Sequence, residues 1–192
     1  VITHLLYLHG FRSSPRSFKA QRMACWAREV RPDLHFACPQ LPPSPAEAIS
    51  LIETLVADWP HQQMALIGSS LGGFYATVMA ERLGCRAVLL NPAVDPARDL
   101  AAHIGEQSCW QSPEDRFFFR EAFIDELRAL APVALTEPRR YAAIIAKGDE
   151  VLDWREMLAR YPGATVWLLE GGDHGLSDFE DHLGFVTGFL GL

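Results

Sequence analysis

Residues 65–74 read Ala-Leu-Ile-Gly-Ser-Ser-Leu-Gly-Gly-Phe: apolar residues of strand type, a Gly-x-Ser-x-Gly pattern, then the start of a helical run. Where a chain reverses sharply between strand and helix, the residue at the apex takes a strained backbone conformation, and side chains two positions to either side collide. Gly68 and Gly72 occupy those two positions around Ser70, whereas Ser69 is flanked by Ile67 and Leu71. Ser70 therefore reads as the apex of a nucleophile elbow. The backbone N–H of Leu71 and the positive end of the helix dipole would face an oxyanion formed beside it. The glycines at 68 and 73 also have the spacing of a phosphate-binding loop, but Phe74 and Tyr75 stand where that loop needs Lys and a hydroxyl. A dinucleotide fingerprint fails as well, because Ser70 occupies its second glycine position.

Working outward, strand-length apolar runs recur at Leu5–Leu8, His35–Cys38, Ala65–Ile67, Ala87–Leu90, Ala142–Ala146 and Thr165–Leu169. They show almost no polar alternation, which is the pattern of parallel strands buried on both faces. Helical periodicity lies between them. Arg16, Lys19 and Arg22 share one side of a first helix whose apolar stripe is Met23, Trp26, Ala27 and Val30. Ser44-Pro45-Ala46-Glu47 is a capping box opening a helix from Pro45 to about Trp59. A last helix spans about Asp178 to Leu190, with Phe179, Leu183, Val186 and Leu190 inward. The predicted class is α/β, an α/β-hydrolase fold with a mostly parallel sheet of about six strands and helices on both faces. One domain over residues 1–192 is expected, with a small helical cap inserted at about 93–140, where Trp110, Phe117, Phe118, Phe119 and a helix-like Glu121–Ala131 interrupt the alternation.

A serine hydroxyl is too weakly acidic to attack an acyl carbon unaided; a histidine must take its proton and a carboxylate must orient that histidine. On this fold the chain order is Ser, acid, His. His174, in the glycine-rich Glu170-Gly171-Gly172-Asp173-His174-Gly175 after a strand, suits the base better than His182, which lies inside the last helix. For the acid, Asp149 follows the strand ending at Ala146. Asp153 is better explained as the N-cap of a helix starting at Trp154, with Glu156 as its capping-box partner, and Asp173 is too close to His174 to curl back onto its ring. The loop after the first strand, His9-Gly10-Phe11, should supply a second oxyanion donor, the N–H of Phe11, beside that of Leu71; His9 itself reads as structural. Phe11, Trp110 and Phe118 are the candidate substrate contacts.

Bulk properties narrow the partners. The 192 residues are 49% apolar, enough for a real core. Lys and Arg number 17 against 24 Asp and Glu, a net charge of −7, the wrong sign for binding nucleic acid or an anionic lipid surface. Cys25, Cys38, Cys85 and Cys109 form no C-x-x-C pair and have no histidine at metal spacing, so no metal site or redox motif is indicated, and they read as free thiols in a reducing compartment. No apolar run approaches the ~20 residues that span a bilayer. The expected location is the cytoplasm.

Several stretches together resemble the small bacterial YqiA-like esterases of the α/β-hydrolase superfamily: LLYLHGFRSSPRSFKA, CPQLPPSPAEA, IGSSLGGFYAT, LNPAV, KGDEVLDWRE and EGGDHGLSDFEDHL. They cover nearly the whole chain. The resemblance implies hydrolysis of small-molecule carboxylic esters without a cofactor, with Ser70, Asp149 and His174 as nucleophile, acid and base. One departure is Gly175-Leu176, where Ala-Phe is expected. A thioester of coenzyme A is the nearer alternative substrate, suggested by Arg12, Arg16, Lys19 and Arg22 beside the oxyanion loop; a non-catalytic binding protein on the same scaffold is the more distant one.

Overall fold

A computed structural model describes all residues, Val1–Leu192. The main-sheet strands are β1 (His4–Leu8), β2 (His35–Ala37), β3 (Met64–Ser69), β4 (Arg86–Leu90), β7 (Tyr141–Ala146) and β8 (Thr165–Leu169), in spatial order β2-β1-β3-β4-β7-β8. Every neighbouring pair is parallel. Because β2 lies outside β1 and β3 returns to its other side, the connections leaving β1 and β3 diverge, and a crevice opens at the carboxyl ends of the strands.

The helices are α1 (Phe18–Val30), α2 (Pro45–Val56), α3 (Leu71–Leu83), α4 (Pro96–Leu100), α5 (Ala122–Leu130), α6 (Trp154–Arg160) and α7 (Phe179–Leu190). Successive strand residues point to opposite faces, so β1 sends Leu6 and Leu8 into one apolar cluster with α2, α3, α5 and α6, and Leu5 and Tyr7 into the other with α1 and α7. That two-sided burial is why these strands carry no polar alternation. In α1 the inward residues are Ala20, Met23 and Ala27, while Val30 is exposed at the helix end. Helix α2 stops three residues short of Trp59, whose ring instead packs against His4 and His35 at the start of the sheet. None of the helices is long and apolar enough to cross a membrane.

The segment between β4 and β7 carries α4, α5 and also an antiparallel hairpin, β5 (Gly105–Ser108) with β6 (Arg116–Phe119), which the expectation of a helical cap did not include. Along β6, Phe119 is buried, Phe117 is half-buried and Phe118 is exposed, the period of two that a strand imposes. Helix α5 fastens the insertion to α2. The Ser44 side chain accepts from Glu47 N–H, as a capping box requires, but the reciprocal carboxylate is that of Glu126 in α5. It accepts from Ser44 Oγ at 2.7 Å and from Ala46 N–H at 3.0 Å. Glu126→Ala is expected to lower the unfolding free energy by about 1–2 kcal/mol in urea titration, and Glu47→Ala, at an exposed position, by only a few tenths.

Candidate active site

Ser70 sits between β3 and α3 with φ 56° and ψ −118°, in the positive-φ region that L-residues rarely adopt. Its backbone is over-determined. Its N–H donates to Leu90 O at 3.0 Å and its carbonyl accepts from Ala93 N–H at 2.9 Å, which pins the turn to the end of β4. The flanking glycines have a specific reason. A Cβ on Gly68 would lie 2.2 Å from the Gly72 carbonyl oxygen, and one on Gly72 would lie 2.0 Å from that of Leu8 in β1. The elbow thus packs backbone against backbone at both positions.

Ser70 Oγ donates to His174 Nε2 at 2.9 Å, and His174 Nδ1 donates to Asp149 Oδ2 at 2.6 Å. An ionised carboxylate can only accept, so the proton rests on Nδ1 and Nε2 is free to take one from the serine. The Asp149 side chain is fully buried. Its other oxygen accepts from Val151 N–H and Leu152 N–H, each at 2.8 Å, which fixes the carboxylate plane. Asp153 caps α6 by accepting from Arg155 N–H at 2.9 Å, as its neighbours in sequence suggest. Glu156, expected to close that cap, instead forms an ion pair with Arg98 of α4 at 2.7 Å. His182 is buried within α7, its ring edge-on to Trp167 of β8, and lines no part of the Ser70 cleft.

The loops bearing Asp149 and His174 touch through glycine: a Cβ on Gly148 would lie 2.1 Å from Gly172 O. A residue not singled out from the sequence holds both loops. Asn91, fully buried at the end of β4 with φ 42°, donates from Nδ2 to the carbonyls of Asp173 at 3.0 Å and His174 at 3.1 Å. Its Oδ1 accepts from Ala146 N–H at 2.8 Å. The sequence signal available was an Asn directly after a buried strand and before Pro92, a pattern that reads equally well as a turn. Asn91→Ala leaves the Ala146 amide and the His174 carbonyl without their partner and the Asp173 carbonyl with only Leu176 N–H; a loss of about 2–4 kcal/mol in unfolding free energy is expected, read by urea titration.

The side facing Leu71 and Phe11 is equally built. Leu71 N–H is the first of α3 and has no acceptor within the helix. Phe11 follows β1 in a loop that His9 fixes: the buried His9 ring donates from Nδ1 to Gly10 O at 2.9 Å and accepts at Nε2 from Leu41 N–H at 3.0 Å. Burial holds the His9 pKa below its ordinary 6.5. The unfolded chain therefore binds a proton more readily than the folded one, and the stability His9 contributes is full above pH 6.5 and falls with acidification until the lowered folded pKa is passed. Unfolding midpoints measured from pH 7 to 5 should fall less steeply for His9→Asn than for the wild type.

A cleft of about 550 Å³ opens at Ser70 and His174, bordered by Phe11, Trp110, Leu100 and Leu152. Trp110 lies at its rim under the Arg12 guanidinium, 3.7 Å from the ring centroid. Phe118 does not reach the cleft; its side chain is 57% exposed on the outer face of β6, and its neighbour Phe117 takes the inward place, edge-on to Phe11. Of the four cations near the loop after β1, Arg22 pairs with Glu180 of α7 and Arg16 donates to Gln111 O at 3.1 Å. Arg12 donates to Ser108 O at 2.8 Å, and Lys19 donates to Gly175 O beside His174. Arg12 and Lys19 border the cleft.

The mouse α/β hydrolase domain-containing protein 10 matches this structure with a TM-score of 0.70 at 18% identity, over 94% of this chain and 85% of that one. A metagenome-derived lipolytic enzyme gives 0.70 at 19%, over 97% and 92%. A monoacylglycerol lipase from Paleococcus ferrophilus gives 0.69 at 14%, over 98% and 94%. At these identities the likeness establishes the fold, which is that of the α/β hydrolases. Residues 4–191 match the family described as Uncharacterised protein family (UPF0227). The protein belongs to that family, the YqiA-like one whose sequence pattern it shares.

Proposed function

We propose that the protein is a serine esterase that hydrolyses small carboxylic esters through an acyl-enzyme on Ser70. The observation that carries this reading is the unbroken hydrogen-bonded chain from Ser70 Oγ through His174 to the buried Asp149 carboxylate, at a strained elbow beside two free amides. Ser70 Oγ attacks the ester carbonyl as its proton passes to His174 Nε2. The carbonyl oxygen becomes an oxyanion facing the N–H groups of Leu71 and Phe11. The imidazolium, held by Asp149, returns the proton to the departing alkoxide, leaving an acyl-serine and an alcohol. Water then attacks the acyl carbon with His174 again as base, releasing the acid and restoring Ser70.

The structural neighbours described as lipolytic support an ester as substrate. The thioester alternative loses ground because Arg16 and Arg22 are engaged by protein acceptors and turn away from the cleft. Ser70→Ala should abolish release of p-nitrophenol from p-nitrophenyl butyrate; residual turnover within tenfold of wild type would refute the assignment. Asn91→Ala should lower kcat by about ten- to a hundredfold through misplacement of the two loops, with KM changed far less.

A further inference from the structure

Two cations, Arg12 and Lys19, border the Ser70 cleft. Although acidic side chains outnumber Lys and Arg by 24 to 17 in this chain, both donate only to uncharged oxygens. Arg12 reaches Ser108 O at 2.8 Å through Nε and Ser108 Oγ at 3.3 Å through Nη2, which leaves Nη1 without an acceptor in the protein. Lys19 reaches Gly175 O, and an ammonium has three N–H donors. Donors on both residues are therefore uncommitted beside Ser70 and His174.

Both placements work against local stability. Arg12 has φ 60°, in the left-handed region that is costly for any residue with a side chain. Its carbonyl accepts from Trp110 N–H at 2.7 Å and its guanidinium lies 3.7 Å from the Trp110 ring centroid, so backbone and side chain are both held. Lys19 is the second residue of α1, where the positive end of the helix dipole disfavours a cation. It is half-buried, and burial pulls its pKa down to about 8 against the opposing pull of Asp173. At neutral pH the ammonium is still charged. The nearby carboxylates leave a positive remainder. Asp99, which also lines the cleft, accepts from Nε and Nη2 of Arg98 at 3.0 and 2.8 Å. Asp173 faces Lys19 but is held by the N–H and hydroxyl of Ser177. Setting Asp173 against Lys19 leaves one unbalanced positive charge, which matches a singly charged ligand group.

We infer that Arg12 and Lys19 bind a carboxylate carried by the ester substrate, in its acyl or its alcohol part, so that the protein prefers acidic esters to neutral ones. This rests on the esterase reading above and adds the substrate class. Neither cation takes part in the bond changes at Ser70; both are specificity-determining contacts.

The test compares kcat/KM within two matched pairs. 4-Carboxyphenyl against 4-carbamoylphenyl butyrate places the charge or its neutral isostere in the alcohol part; p-nitrophenyl hydrogen adipate against p-nitrophenyl adipamate places it in the acyl part. In the wild type the acidic member of at least one pair should win by about tenfold, the worth of one hydrogen bond to a charged group, and by less in about 0.5 M NaCl. Lys19→Gln and Arg12→Gln should each lower that ratio, whereas Lys19→Arg, which keeps the charge, should retain most of it. Arg16→Gln removes a cation that is engaged by Gln111 and lines no part of the cleft, and should leave the ratio as in the wild type. Should one glutamine variant fail to fold, the other still reads the ratio against Lys19→Arg. An acidic preference that is absent from both pairs in the wild type, or that survives the glutamine substitutions, overturns the inference while leaving the esterase reading intact. A wild-type protein that hydrolyses neither these four esters nor p-nitrophenyl butyrate overturns both.

Discussion

Asp149→Asn lowers kcat for activated esters by on the order of 10⁴-fold and leaves the protein folded. The reason is directional. Asp149 accepts the Nδ1 proton of His174 at 2.6 Å through Oδ2, while Oδ1 is occupied by the amides of Val151 and Leu152. An asparagine keeps its oxygen on those two amides and turns its NH₂ toward the ring. The imidazole must then accept at Nδ1 and carry its proton on Nε2, where it can no longer take one from Ser70. Asp153→Asn is the matched control four residues away. Asparagine caps a helix as well as aspartate, so α6 and turnover should both persist. Stopped assays on the two variants would decide between these carboxylates; equal losses would contradict the assignment of Asp149.

Gly72→Ala has the largest expected effect on stability, above about 4 kcal/mol, enough to abolish the soluble folded protein. Its Cβ would lie 2.0 Å from Leu8 O and 2.6 Å from His9 O. Both are backbone atoms, Leu8 at the end of a central strand and His9 in the loop that follows, with no rotamer through which to retreat. Relief requires α3 to move off β1, carrying Ser70 and the Leu71 amide away from the loop that holds Phe11. Gly84→Ala is the contrast. Gly84 has φ 71° at the end of α3 with open space around it, so the cost is the left-handed conformation alone, about 1–2 kcal/mol. Soluble yield and urea titration of the pair separate close packing from backbone strain.

Local patterns made most of this architecture legible. Doubly buried strands announce themselves as unbroken apolar runs, and the elbow announces itself through glycines two residues either side of Ser70. Asp149 and His174 each follow their own strand, so topology alone carries them to the same crevice. The features that escaped are those whose partners are distant in the chain. Glu126 completes the cap of α2 from 82 residues beyond Ser44, and Glu47, at the right local spacing, does not. Asn91 serves loops 82 and 83 residues away, and nothing adjacent to it in sequence reveals them. Phe118 was expected in the site because three consecutive phenylalanines in a presumed helical insertion offer no way to choose; only the pairing of β6 with β5 turns Phe117 and Phe119 inward.

The central claim is that Ser70 is the nucleophile, and a fluorophosphonate probe followed by peptide mass mapping tests it most directly. The probe should label the wild-type protein once, on Ser70, with no label on adjacent Ser69 and none on the Ser70→Ala variant. Labelling that persists in Ser70→Ala, or that maps to another residue, would contradict the account.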